Sequence, residues 1–257
     1  MKKECDNSFQ FLKRPKLQDQ VRESILNEIK RGSFPSGKLP TEGKLAKMLG
    51  VSRPTISITL AYLEREGVVV RRHGSATYIN KGYNNLKSLI NQGIAVYDLI
   101  EQNGYEPSLL SDKVDEIKAS DLFRELENRL KIDFELESDE TVYSIRRVFG
   151  ANGKPCIVTY EFIPKKHLKK SLDTDRLPET IYKLSEEYCY SPIEFTLVDI
   201  IPFNLNDELT NLLSCNKEDL VLLTEEIHLN NQSCPVIYSK VFVLDKYIRY
   251  QAIRIRE

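Results

Sequence analysis

The stretch Leu39–Ile79, LPTEGKLAKMLGVSRPTISITLAYLEREGVVVRRHGSATYI, constrains the fold more than any other part of the chain. Thr41 stands where an N-cap accepts from the first turn of a helix. Leu45, Ala46 and Leu49 then share one side of that helix, and Gly50 supplies a left-handed stop. Ser52 caps a second helix, which tolerates Pro54 in its first turn because a nitrogen there has no helical acceptor to lose. Ile56, Leu60 and Leu63 recur at i, i+4 and i+7, so one face is committed to a core, and Gly67 ends the helix. With that face fixed, Arg53, Thr55 and Ser57 point outward at the N-terminal end. From that end a recognition helix meets base edges in the major groove. The following hairpin carries Arg71 and Arg72 and turns at His73-Gly74-Ser75. A basic two-stranded wing meets phosphates or the minor groove. Each piece alone would fit a solvated helix and an ordinary hairpin; together and in order they predict a winged helix-turn-helix that binds double-stranded DNA.

The charge distribution agrees. Residues 1–79 hold 15 of the 37 Lys and Arg but only 8 of the 38 Asp and Glu, so a basic N-terminal third precedes an acidic remainder. That asymmetry suits a polyanion partner for the first part only. The five cysteines are scattered and never paired as C-x-x-C, which argues for a reducing cytoplasm and against structural disulfides or a bound metal. No cofactor is expected. No apolar run approaches the ~18 residues of a membrane span, and the N-terminus lacks a secretory apolar region.

Leu17, Val21, Ile25 and Ile29 predict an amphipathic helix ahead of the helix-turn-helix. Residues 1–80 are therefore the DNA-binding domain, with a linker over 81–92, where Lys81-Gly82-Tyr83-Asn84-Asn85 breaks the pattern. Residues 93–257 form the second domain. Helices are expected at VYDLIEQNG, Ser120–Leu130, Glu179–Tyr188 and Asp207–Leu213. Strands are expected near Lys113–Lys118, Thr141–Phe149, Cys156–Ile163, Phe195–Ile201, Leu220–Leu229, Val236–Leu244 and Arg249–Arg256. The loops ANGKP and NNQSCP read as hairpin turns. Hairpins imply antiparallel pairing, so this domain should be α+β, with helices packed on an antiparallel sheet.

The residues quoted from Leu39 to Gly67, with RHGSA after them, resemble the winged-helix domain of the GntR family of bacterial transcription regulators. The resemblance implies that Arg53, Pro54, Thr55, His73 and Gly74 sit at DNA-contact positions, beside Ser57 at the helix start and Arg71 and Arg72 of the basic wing. Gly43 and Ser57 stand where many members carry an Arg, which removes bidentate guanine contacts worth ~1–3 kcal/mol of discrimination each. The operator preference of this chain should differ accordingly.

The second domain resembles the effector-binding domain of the HutC branch, whose fold is similar to chorismate lyase. RRVFGANGKP, TYEFIP, ETIYKLSEEY and NNQSCPVIYSKVF carry that resemblance through their order and spacing. It implies an Arg-x-Arg pair for the anionic end of a ligand; here the positions hold Arg147 and Phe149, with Arg146 as the neighbouring cation. It further implies Thr159 and Glu161 on the second hairpin strand, and Thr180 and Tyr182 at a helix start whose N–H groups favour a negative charge. His167 and His228 read as structural residues. No catalytic motif is visible, and the chain is read as no enzyme.

The function implied is a ligand-responsive repressor, a homodimer on an inverted-repeat operator released by a small anionic effector. A lyase-like enzyme fused to a DNA-binding head and a ligand-independent DNA binder are the alternatives. The apolar segment Val236–Leu244 is one strand available to pair across a dimer axis.

Overall fold

The structure, a computed structural model, describes residues 17–71, 76–83, 86–90, 93–122 and 134–254. It divides into two compact units, Met1–Leu86 together with Ala252–Glu257, and Lys87–Gln251.

The first unit holds α1 (Leu17–Lys30), α2 (Glu42–Leu49), α3 (Arg53–Arg65), β1 (Val69–Arg71) and β2 (Thr77–Ile79). Thr41 Oγ1 accepts from the Lys44 N–H, and Gly50 adopts φ 66° at the end of α2. Ser52 Oγ accepts from the Thr55 N–H at the start of α3. Ile56, Leu60 and Leu63 are completely buried, facing Val21, Ile25, Leu26 and Ile29 of α1 and Leu45 of α2. Burial of such side chains contributes ~1.5–3 kcal/mol each and holds α3 in one orientation. β1 and β2 pair antiparallel, Val69 opposite Ile79. Gly67 is needed twice over: its φ is +71°, and a Cβ there would lie 2.6 Å from Ile253 Cγ2. Through that contact the end of the chain joins this unit, although its sequence pattern reads as part of the second domain.

The second unit contains α4 (Val96–Gln102), β3 (Pro107–Lys118), β4 (Thr141–Ala151), β5 (Lys154–Pro164), α5 (Ile181–Tyr188), β6 (Phe195–Phe203), α6 (Asp207–Leu213), β7 (Val221–Leu229) and β8 (Pro235–Leu244). The six strands form one antiparallel sheet in the order β3-β4-β5-β8-β7-β6. Asn152 and Gly153, with φ of 51° and 75°, make the tight β4–β5 turn, a backbone twist that matches the strands it joins. In the β7–β8 turn, Asn230 Oδ1 accepts from the Gln232 and Cys234 N–H groups.

Alternation along the strands sends two apolar sets to opposite faces. On one face, Tyr143, Ile145 and Ile163 pack with Leu184 of α5, and Phe149, Ile157 and Val243 with Leu99 and Ile100 of α4. On the other, Val148, Val158 and Phe242 pack with Leu209 and Leu213 of α6.

Three expectations change. Residues 249–254 form no strand: Gln251 makes a single bridge to Leu89, because β8, just before it, already has β5 and β7 on its two edges. For the same reason Val236–Leu244 cannot pair across a dimer axis; the open edges belong to β3 and β6. The strand placed near Lys113–Lys118 begins at Pro107. The helix expected over Ser120–Leu130 lies mostly outside the described residues, as do Arg72, His73 and Gly74. No helix among the described residues is long and apolar enough to cross a membrane, and no group of three or more metal-ligating side chains occurs among them.

Candidate functional site

The outward end of α3 carries Arg53, Pro54, Thr55 and Ser57. The Arg53 side chain is 75% exposed, with Nε 3.5 Å from Glu42 Oε2 on α2. Its guanidinium is held loosely by a neighbouring helix and remains open to a partner. Thr55 Oγ1 shares a 2.7 Å hydrogen bond with the cap Ser52 Oγ, so its side chain also serves the helix start.

Arg71, expected on the phosphates, also makes contacts within its own unit. Its Nη2 donates to the Ser57 carbonyl at 2.7 Å, and Nε lies 3.7 Å from Glu64 Oε2. Its backbone N–H donates to Glu64 Oε1 at 3.0 Å. Arg71 therefore ties β1 to α3.

In the second unit, all six residues expected at the effector site line one small cavity of about 70 Å³: Arg147, Phe149, Thr159, Glu161, Thr180 and Tyr182. An adjoining cavity of about 530 Å³ shares Ile94, Leu99, Tyr182, Glu226 and Tyr250 with it. Its volume suits a small-molecule ligand. The sheet builds the floor between the two apolar clusters of that face. Arg147 on β4 pairs with Thr159 on β5, Glu161 with Ser239 on β8, and Ser239 with Glu226 on β7. His228 then pairs with Thr196 on β6.

Arg147 is 2% exposed, and Nη1 donates to both carboxylate oxygens of Glu161, at 3.1 and 2.9 Å. Nη2 donates to the Pro178 carbonyl at 3.0 Å, which anchors the loop leading into α5. Burial pushes the Glu161 carboxyl up from its ordinary value, and Arg147 opposes that rise. The guanidinium expected to meet a ligand thus already has a carboxylate and a carbonyl. Arg146 alternates to the opposite face, 3.5 Å from Glu208 of α6, and supplies no charge to the cavity. Phe149 meets Tyr97 edge-on at 5.4 Å and belongs to the wall. Thr180 Oγ1 accepts from the Lys183 N–H as the N-cap of α5. Tyr182 Oη would lie 3.0 Å from a Cβ on Gly93, so a glycine there leaves room for the phenol.

Four lining residues were not singled out from the sequence. Glu226 accepts from Thr224 Oγ1 at 2.8 Å and faces both cavities. Burial, with Glu161 adding to it, pushes its carboxyl up to about 7. His228, read as structural, is indeed satisfied: Nδ1 lies 2.9 Å from Thr196 Oγ1 and Nε2 3.0 Å from Ser239 Oγ. Burial pushes it down to about 3, so the ring is neutral near pH 7, yet it also lines the smaller cavity. Ser239 and Tyr250 complete the set. The signal was present in β7, where Thr224, Glu226 and His228 recur at every second position and so share one face of the strand. His167, by contrast, sits against the Val236 carbonyl and lines neither cavity.

A recognition helix with an exposed arginine, and a separate domain with a ligand-sized polar cavity, define a DNA-binding regulator that answers to a small molecule. Residues 17–79 match the family described as bacterial regulatory proteins, gntR family, and residues 102–248 match the UTRA domain. The chain belongs to the GntR family, in the HutC branch that carries a UTRA domain. It is 26% identical over 231 residues to the HTH-type transcriptional repressor NagR of Bacillus subtilis, covering 89% of this chain and 90% of that one. It is 24% identical to the mannosyl-D-glycerate transport/metabolism system repressor MngR of Escherichia coli, over 80% of this chain and 82% of that one. The fold is shared with the crystal structure of the possible transcriptional regulator YydK of Bacillus subtilis, at a TM-score of 0.67 and 20% identity, covering 93% of this chain and 99% of that one.

Proposed function

We propose that this ligand-responsive repressor works as a cytoplasmic homodimer, reads an inverted repeat with one α3 per half-site, and leaves the operator when the second unit's cavity fills. The protein catalyses no reaction on its effector. One observation carries this reading: a formed cavity of about 530 Å³ that belongs to a chain whose other unit carries an exposed recognition helix. Two linked heads gain affinity over one because the second contact becomes intramolecular. Relief of repression requires only that the effector bind one arrangement of the dimer better than the other. The β6 edge, with Phe195, Leu197 and Ile200 between 42% and 48% exposed, supports strand pairing there in the dimer.

The test begins with DNA selected from a random pool by the full-length protein. Selected sequences should contain an inverted repeat, and sedimentation should give a dimer. A metabolite pool added to the labelled complex should lower its anisotropy, and the active component should be recovered unchanged. A monomer on single half-sites, or a converted ligand, would refute the reading.

A further inference from the structure

The charges around the larger cavity do not suit a simple anion. Among the described residues, its lining contains no Lys or Arg, while Glu194 and Glu226 both contribute to it. In the smaller cavity the single cation, Arg147, is closed onto Glu161 by two bonds of 2.9 and 3.1 Å. An anion taking that guanidinium would leave the Glu161 carboxylate buried without its cation, which is strongly unfavourable.

Glu226 stands out against this background. It keeps about a fifth of its side-chain exposure (21%) while lining both cavities. It accepts from the Thr224 hydroxyl at 2.8 Å and lies 3.7 Å from His228 Nε2, and that ring nitrogen already has the Ser239 hydroxyl at 3.0 Å. No Lys or Arg among the described residues reaches ion-pair distance of Glu226. A carboxylate held on a strand paired on both edges, opening on a ligand-sized space with no Lys or Arg of the described residues at ion-pair distance, suits a cation.

We propose that the effector carries an ammonium group, which Glu226 binds from the floor of the cavity while Leu89, Ile94, Leu99 and Val198 contact its apolar body. The proposal rests on the reading of this cavity as the effector site. Hydroxyls of Tyr182 and Thr196 line the same space and suit a ligand that also bears polar groups. An ammonium seated there gains a charge-assisted hydrogen bond with the Glu226 carboxylate. The titratable groups that share the two cavities with Glu226 are Glu161 of β5 with its partner Arg147 of β4, His228 of β7, Tyr182 of α5, Tyr250 after β8, Glu179 ahead of α5 and Glu194 ahead of β6. Glu161 is tied to Arg147, His228 is neutral near pH 7, and burial pushes the Glu226 carboxyl up to about 7, so ionisation of Glu226 adds its charge to the cavity as pH rises through that value.

The experiment uses ligand-observed NMR on the full-length protein with matched sets of amine, alcohol and carboxylate. Cyclohexylmethylamine is compared with cyclohexylmethanol and cyclohexanecarboxylate, and 2-phenylethylamine with 2-phenylethanol and phenylacetate. The amine of each set should bind best, about tenfold or more tighter than its partners. Its affinity should rise from pH 6 to 8 while the alkylammonium stays charged. Glu226→Gln should abolish both the preference and the pH dependence while alcohol binding persists, which reports an intact cavity. A carboxylate or alcohol that matches the amine overturns the ammonium assignment and leaves the cavity as the effector site. An amine preference that survives in Glu226→Gln, with no change in its pH profile, overturns the assignment to Glu226. Absence of binding by all six compounds removes the cavity as the effector site, and the proposal with it.

Discussion

Arg53 of the first unit and Arg147 of the second are the same side chain in opposed settings. Arg53 is 75% exposed, with one loose carboxylate at 3.5 Å; Arg147 is 2% exposed, with a carboxylate and a carbonyl closing its hydrogen-bonding edge. An exposed guanidinium keeps its donors for an outside partner. A buried one must satisfy them within the fold, because an unpaired buried charge is too costly to keep. The same residue type therefore stays open to an outside partner in one place and organises a cavity wall in the other. Arg71 lies between these limits, half-buried and donating to the Ser57 carbonyl.

Arg147→Ala gives the largest expected effect and the sharpest break of this contrast. It leaves Glu161 buried without its cation, and stability should fall by ~3–5 kcal/mol, measured by urea denaturation of the full chain. The double change Arg147→Met with Glu161→Leu should recover most of that loss. If Arg147→Ala is as stable as the parent, the pair is not structural, and Arg147 belongs with Arg53 as a ligand contact.

Glu226 tests the buried side by pH. The folded state holds its proton up to about pH 7, whereas the ordinary value is 4.5, so the folded state binds it more tightly. Stability should therefore fall as pH rises from about 5 towards 7, by up to ~3 kcal/mol, and level off above. Urea midpoints at pH 5, 6, 7 and 8 should show this fall, and Glu226→Gln should flatten it. An unchanged slope in the variant would mean that the carboxylate is already ionised in the fold.

Arg53→Ala tests the exposed side. Specific DNA binding should weaken by ~1–3 kcal/mol with relaxed preference at one position per half-site, and stability should hold. Parent-like binding by anisotropy would remove α3 as the reading helix. Smaller still is Ser52→Ala, which removes the cap of α3. It should cost ~1 kcal/mol of stability and weaken operator binding only through fraying of that helix end. A loss of DNA binding as large as that of Arg53→Ala would make the Ser52 hydroxyl a DNA contact.

Much of the first unit was legible from residue order because its signals are local. Thr41, Ser52 and Gly50 act within one helical turn, and the Ile56, Leu60 and Leu63 stripe needs only the helical period to commit α3 to a core. The hairpins of the second unit were legible for the same reason, as the Asn152-Gly153 turn shows. The cavity was legible only in part. Residues on the adjacent strands β4 and β5 and at the start of α5 could be placed together, since one tight turn brings Arg147 opposite Thr159.

What residue order alone determined is thus most of the local elements and the class of protein, because caps, turns and periodic stripes encode both within short spans. Tertiary structure alone decided how the charges are used. Glu226 and Ser239 reach Glu161 only because β8 inserts between β5 and β7, a pairing across some eighty residues that no local pattern dictates. The same insertion gives β8 partners on both edges and so removes Val236–Leu244 as a dimer strand. Whether an arginine is closed or open depends on what the fold brings within about 3 Å of it. Contact at that range is set by the packed chain, not by neighbours in sequence.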